Sequence, residues 1–176
     1  VCERLRNYIH HALEDEDESV QDAAVKAFAA MKDSDATASI LKLAVTLDPE
    51  ENAERLSGII DALVAIGHNE ALNEAIRGDD ELGMQIAVET LARRDDKSQL
   101  PWLVEVFWHK SRDAQRFLVN VLANVADKGY QNFFMDVLGK HTDGLVLRGA
   151  LRFLGQKGEP SQVQDKVLEF LGHPYN

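Results

Sequence analysis

Six histidines are the residues of this 176-residue chain best suited to proton transfer or metal binding: His10, His11, His68, His109, His141 and His173. A zincin helix needs His-Glu-x-x-His, which sets two imidazoles on one helix face with a carboxylate between them. No such stretch occurs. His109, His141 and His173 recur at spacings of 32 and 32, which is a structural period and not a ligand spacing. They could form a column along one edge, or sit at helix C-termini, where a partly protonated ring meets the negative end of the helix dipole. A Gly-x-Ser-x-Gly elbow is missing, as are a phosphate loop and a dinucleotide fingerprint. Cys2 is the single cysteine, so neither an internal disulfide nor a Cys-based metal site can form. The run Glu14–Glu18 could attract divalent cations, but it lacks the alternating ligands and central glycine of an EF-hand loop. A solvated loop or helix start explains it. The expectation is a chain that is not an enzyme, with no cofactor and no metal site.

The segment Gln99–Lys110 is the most informative surface candidate. On a helical wheel Leu100, Leu103, Val104 and Phe107 gather on one face, with Trp108 at its edge. Trp102, Val106 and His109 fall on the opposite face at spacings of four and three. Either a neighbouring helix buries them or they form an anchor patch for a partner, a setting in which Trp is enriched. Arg93, Arg94, Lys110, Arg112 and Arg116 flank the patch and could form a basic rim. The expected partner-binding residues are Trp102, Val106, His109, Arg112 and Arg116.

The elements that must position these residues are helices. Proline is scarce, alternating β-branched runs are absent, and apolar residues recur at three- and four-residue spacing. The pattern predicts about eleven helices, over 4–13, 19–31, 37–47, 53–66, 70–77, 80–93, 99–109, 113–126, 131–138, 144–154 and 161–171. Gly67, Gly78, Gly139, Gly155 and Gly172 are read as stops. Pro101 is read as a first-turn proline, and Ser161 with Gln164 as a capping box.

The helices repeat. Five segments carry apolar or small residues at offsets 0, 4, 5, 8 and 9, starting at Val20, Arg55, Leu82, Ala114 and Leu145, with spacings of 35, 27, 32 and 31. Arg55 breaks the pattern at its first position. A second apolar helix follows each segment. A helix pair of about 31 residues cannot bury its own apolar face, and stacked neighbours complete the core. The predicted fold is therefore all-α, a right-handed α-solenoid of about five helix pairs spanning roughly 17–49, 50–79, 80–111, 112–142 and 143–173 in a single domain. The chain does not begin with Met, and it is expected to be part of a longer protein.

The stretch from Asp61 to Leu72, with Ala62-Leu63, Ile66-Gly67, a polar turn at His68-Asn69 and then Ala71, resembles the HEAT-like repeat of the phycobilisome-lyase type. Ala123–Gly129 with Phe133, and Ala150–Gly155 with Val163, are looser copies, and the resemblance runs from Asp17 onward. His68 stands where the family usually has Asp, and the Arg-containing start of the first helix is mostly missing. The resemblance implies HEAT-like, armadillo-like stacking and a protein-binding scaffold. For a few members it implies a bilin lyase or other chromophore-handling protein. HEAT-like hydroxylases similar to deoxyhypusine hydroxylase depend on repeated His-Glu dipeptides, and this chain has none. HEAT-like DNA glycosylases need a cationic concave surface.

Charge separates these readings. The net charge is -11, and residues 1–80 carry all of it, with 18 Asp+Glu against 7 Lys+Arg, while residues 81–176 balance at 12 and 12. This argues against nucleic acid, including the glycosylase reading, and against anionic membranes. No run of about 18 apolar residues and no basic-then-apolar leader is present. The expectation is a cytoplasmic, non-enzymatic scaffold that binds another protein on its concave face, with the acidic end drawing a basic partner segment. The last helix keeps Val167, Phe170 and Leu171, and is open to a continuation of the stack, self-association through the C-terminal repeat, or a partner there.

Overall fold

A computed structural model describes residues 3–172; Cys2 and His173, singled out above, lie outside the described residues. It is 79% helix with no strand among the described residues, so its core can only be helix on helix. The helices are α1 (Glu3–Ala12), α2 (Glu18–Met31), α3 (Thr37–Ala44), α4 (Ala53–Ile66), α5 (Glu70–Arg77), α6 (Glu81–Arg93), α7 (Leu100–Val106), α8 (Arg112–Val125), α9 (Gln131–Lys140), α10 (Gly144–Lys157) and α11 (Pro160–Gly172). Among the described residues no helix is long and apolar enough to cross a membrane.

The chain divides into two compact units, Val1–Asp96 and Lys97–Asn176. The division falls inside the predicted third pair, so α6 belongs to the first unit and α7 to the second. In the first unit α2 packs on α4 and α4 on α6, α3 packs on α5, and α1 covers α2. In the second unit α8 packs on α10, α9 on both α10 and α11, and the 3-10 turn after α7 rests on α8. The residues at the recurring offsets supply much of the buried surface: Ala24, Val25 and Phe28; Ile86, Ala87 and Leu91; Leu118, Val119 and Leu122; Ala150, Phe153 and Leu154. Phe153 stacks on Phe134 with ring centroids 3.8 Å apart.

The period also appears in bonds that tie successive first helices within each unit. Arg55, the apparent break in the pattern, is a link of this kind. Its Nε donates to Asp22 Oδ1 at 2.6 Å, its Nη2 donates to Gln21, and Glu18 lies 3.5 Å away. Arg93 reaches Asp61 at 2.6 Å, and Arg152 donates to the Asn120 carbonyl at 3.1 Å. Two cations close helix ends. Arg94 donates to the Val64 carbonyl near the end of α4. Lys157 Nζ donates to the carbonyls of Ala123, Asn124 and Ala126 at the end of α8. The last carbonyls of a helix have no partner within it and carry the negative end of its dipole, so a cation there satisfies both needs.

Several predicted boundaries move. α9 continues through Gly139 and α10 through Gly155, because neither glycine is required to leave the helix; α10 is capped at Gly158, where an added Cβ would lie 2.5 Å from the Leu154 carbonyl oxygen. α11 opens at Pro160, so Ser161 lies within the helix and is not its cap. α3 stops at Ala44, and the Thr46 hydroxyl then donates to the Leu43 carbonyl. α7 stops at Val106 and tightens into a 3-10 turn over Phe107–His109.

Two glycines of α10 test the packing with one substitution. Gly155 faces open space, so Gly155→Ala should raise stability by up to about 1 kcal/mol through helix propensity. At Gly149 an added Cβ would lie 2.9 Å from Cγ1 of the fully buried, β-branched Val119 on α8. Overpacking of this kind costs about 1–3 kcal/mol, so Gly149→Ala should lower stability despite the same propensity gain. Urea unfolding of both variants checks the contrast. A stabilised Gly149→Ala would mean that α8 and α10 do not meet there.

Candidate functional site

The candidate surface begins at α7. Pro101 sits in its first turn, as expected, and Leu100 and Leu103 are buried. The change to a 3-10 turn alters the angular step per residue from that of an α-helix, so a wheel drawn through to Lys110 loses its phase. Phe107 enters the core and is fully buried, meeting Phe133 edge-to-face at 5.2 Å. Trp108, placed by the wheel at the edge of the buried face, is 39% exposed. Its ring lies 5.3 Å from Phe107, edge-to-face, and 6.0 Å from His141. Of the predicted residues, Trp102 and Val106 are half-buried, His109 and Arg112 are exposed, and Arg116 is half-buried.

A polar network lies beneath Trp108. Ser111 caps α8 by accepting the Ala114 N–H, and this helix start presents Gln115 and Arg116 to the α9–α10 junction. Gln115 Nε2 donates to the Phe107 carbonyl at 3.0 Å. Gln115 Oε1 lies 3.0 Å from His141 Nε2. The Asp143 backbone N–H donates to His141 Nδ1 at 3.0 Å, so Nδ1 carries no proton and Nε2 is the donor to Gln115. The imidazole is neutral, and burial pushes its pKa below the ordinary value of 6.5. Asp143 pulls it up and Arg112 pushes it down further.

Asp143 is the N-cap of α10. Its Oδ1 accepts the N–H groups of Leu145 and Val146 at 3.0 and 3.2 Å, and its Oδ2 accepts Arg116 Nη2 at 2.6 Å and Nε at 3.1 Å. The Arg116 hydrogen bond, ahead of the backbone N–H groups, holds this carboxyl well below the usual carboxylate range. The same bond raises the Arg116 guanidinium.

This geometry redistributes the predicted roles. Arg116 is committed to Asp143 and to Asp113 at 3.1 Å. Arg93 and Arg94 are spent on helix contacts within the first unit. Of the five cations expected at the rim, Lys110 and Arg112 are the two whose side chains have no hydrogen-bond or ion-pair partner among the described residues. Of the three periodic histidines, His109 is exposed, His141 is a neutral member of the network, and His173 lies outside the described residues. His141 does follow the last residue of α9, but its ring turns to Gln115 and Asp143 and does not serve as a cation on the helix dipole. Asp143 was legible as a cap, being an Asp directly before the helical stretch at Gly144. Gln115 carried no signal in the sequence.

In the first unit the acidic run is also structural. Asp17 caps α2, accepting the Ser19 hydroxyl and N–H at 2.7 and 2.8 Å, and the hydroxyl bond lowers its pKa. Glu18, Asp22, Glu51 and Glu54 line a cleft of about 510 Å³ beside Arg55 and Lys26. His68 bonds Asp96 at 2.8 Å and Asn73 at 2.8 Å. No known family model matches the chain, and no curated protein matches it in sequence.

The network predicts a pH dependence. The folded state keeps His141 neutral, whereas an unfolded histidine protonates near 6.5, so the unfolded state binds more protons below that pH. The contribution of His141 is complete above about 6.5 and is lost as pH falls toward its lowered folded pKa. His141→Gln, which cannot titrate, should flatten the loss of stability between about pH 7.5 and about pH 5.5 in urea unfolding. An unchanged slope would show that Nδ1 does not hold the Asp143 N–H.

Proposed function

We propose that the chain is a non-enzymatic scaffold that binds another protein, built as a right-handed α-solenoid of HEAT-like helix pairs with its partner surface on the second helices and their ends. The observation that carries this reading is the packing inside each unit: first helices stack on first helices (α2 on α4 on α6; α8 on α10) and second helices on second helices (α3 on α5; α9 on α11). That is the contact order of stacked repeats, which leave extended surfaces for a partner. The unit Val1–Asp96 carries 22 Asp+Glu against 9 Lys+Arg, a net charge of -13, and suits a partner with a basic segment. Nucleic acid and membranes are not the partners in this reading, and the compartment is the cytoplasm. Leu168 and Leu171, 58% and 71% exposed on α11, keep self-association through the C-terminal pair within it.

The surface assigned to the partner is Trp102, Val106, His109 and Arg112, with Arg116 holding α8 to α10 behind them. Affinity capture with wild type should retain a partner that Trp102→Ala and Arg112→Glu lose. Both variants should keep a Tm within about 4 °C of wild type. Equal retention by both variants removes the surface. A much larger fall in Tm for Trp102→Ala would make Trp102 a core residue and leave Arg112 as the test of the patch.

A further inference from the structure

The second unit differs in charge from the first. Lys97–Asn176 holds 10 Lys+Arg against 8 Asp+Glu, a net charge of +2 beside the -13 of Val1–Asp96. The exposed Trp108 lies in a stretch where cations outnumber carboxylates. Between Glu105 and Arg116 the cations are Lys110, Arg112 and Arg116, and the carboxylates are Glu105 and Asp113. Arg116 is engaged with both Asp113 and Asp143, which leaves Lys110 and Arg112 against Glu105. The Trp108 ring is fixed from behind by Phe107 and His141, so little side-chain freedom is lost when something covers its open face. A half-open tryptophan followed in the chain by two unpartnered cations, Lys110 and Arg112, is complementary to an apolar side chain flanked by carboxylates.

We infer that the Trp108 surface of the second unit docks an acidic peptide segment of another protein, with an apolar side chain against the Trp108 ring and carboxylates on Lys110 and Arg112. This rests on the reading of the chain as a protein-binding scaffold and names the chemistry of the segment that this patch takes. It is separate from the basic segment that suits the acidic first unit.

Fluorescence anisotropy of labelled synthetic peptides tests it with the full chain. An Asp/Glu-rich peptide with a central Leu should bind, with affinity falling as salt rises. The same peptide with Ser for Leu should bind about tenfold more weakly, and so should the Leu peptide with Arg112→Glu or Trp108→Ala. Lys128→Glu, an exposed charge elsewhere in the unit, should change little. Absence of binding by the Leu peptide overturns the assignment, as does equal weakening by Lys128→Glu and Arg112→Glu, which would mean general attraction to the unit. A dimer seen by sedimentation and lost with Arg112→Glu would also overturn it, by giving the surface to a second copy of the chain. If affinity capture finds a partner lost by Arg112→Glu while the acidic peptide fails, the scaffold reading stands and the acidic assignment falls.

Discussion

Two helices of 14 and 8 residues, such as α2 with α3 or α4 with α5, enclose too little apolar surface to hold themselves together, so each pair depends on the next to cover it. The covering helix does more than bury carbon. Arg94 and Lys157 each stand twelve residues after the apolar residue that opens their repeat pattern, Leu82 and Leu145. Each delivers a cation to the carbonyls at the end of the preceding first helix. The helix that supplies apolar contact therefore also satisfies its neighbour's orphan acceptors, and the two requirements set one register. Arg55 works at the opposite end of the same contact, reaching back to the start of α2.

This explains which parts of the fold were legible. Offsets 4, 5 and 8 were read correctly because they lie on the contacting face, where only small or apolar residues fit; Ala24, Leu118 and Ala150 are all buried there. The first offset was misread at Arg55 because hydropathy treats a charged residue as a break and carries no record of Asp22 and Gln21 waiting on another helix. The stops at Gly139 and Gly155 were misread because a glycine tolerates the helix as well as the turn. Gly158 differs in that the Leu154 carbonyl leaves no room for a Cβ, a fact of three-dimensional placement alone. Trp108 was read at the edge of the buried face, and its ring packs on buried Phe107 while staying 39% exposed. At the site, the residue types were visible and their partners were not. Arg116 looked like a rim cation until Asp143 appeared 27 positions away.

The acidity also reads differently once its parts have partners. Asp17 and Asp80 cap α2 and α6, and Asp33 bonds Arg6 at 2.8 Å, so part of the excess does structural work at helix starts. The remainder is exposed, including Glu14, Asp15 and Glu16. The boundary between the compact units sharpens the asymmetry. Counted to residue 80 the excess is 11 negative charges; counted over Val1–Asp96 it is 13, and the second unit becomes weakly basic. Four carboxylates of the second unit are taken by its own cations, Asp143 and Asp113 by Arg116, Asp136 by Lys140 and Glu169 by Lys166.

The unpartnered state of Arg112 and the neutrality of His141 belong to one arrangement. Burial is the main reason the ring stays uncharged, and the uncompensated positive charge of Arg112 acts in the same direction. Asp143 opposes both, yet its Oδ2 is already engaged by Arg116, which holds that carboxylate in place and offsets its pull. Protonation would set an N–H on Nδ1 against the Asp143 N–H, breaking the bond that orients the ring under Trp108. The neutral ring therefore sets the orientation of the one exposed aromatic among the described residues of α7, its 3-10 turn and α8, and burial does most to keep it neutral.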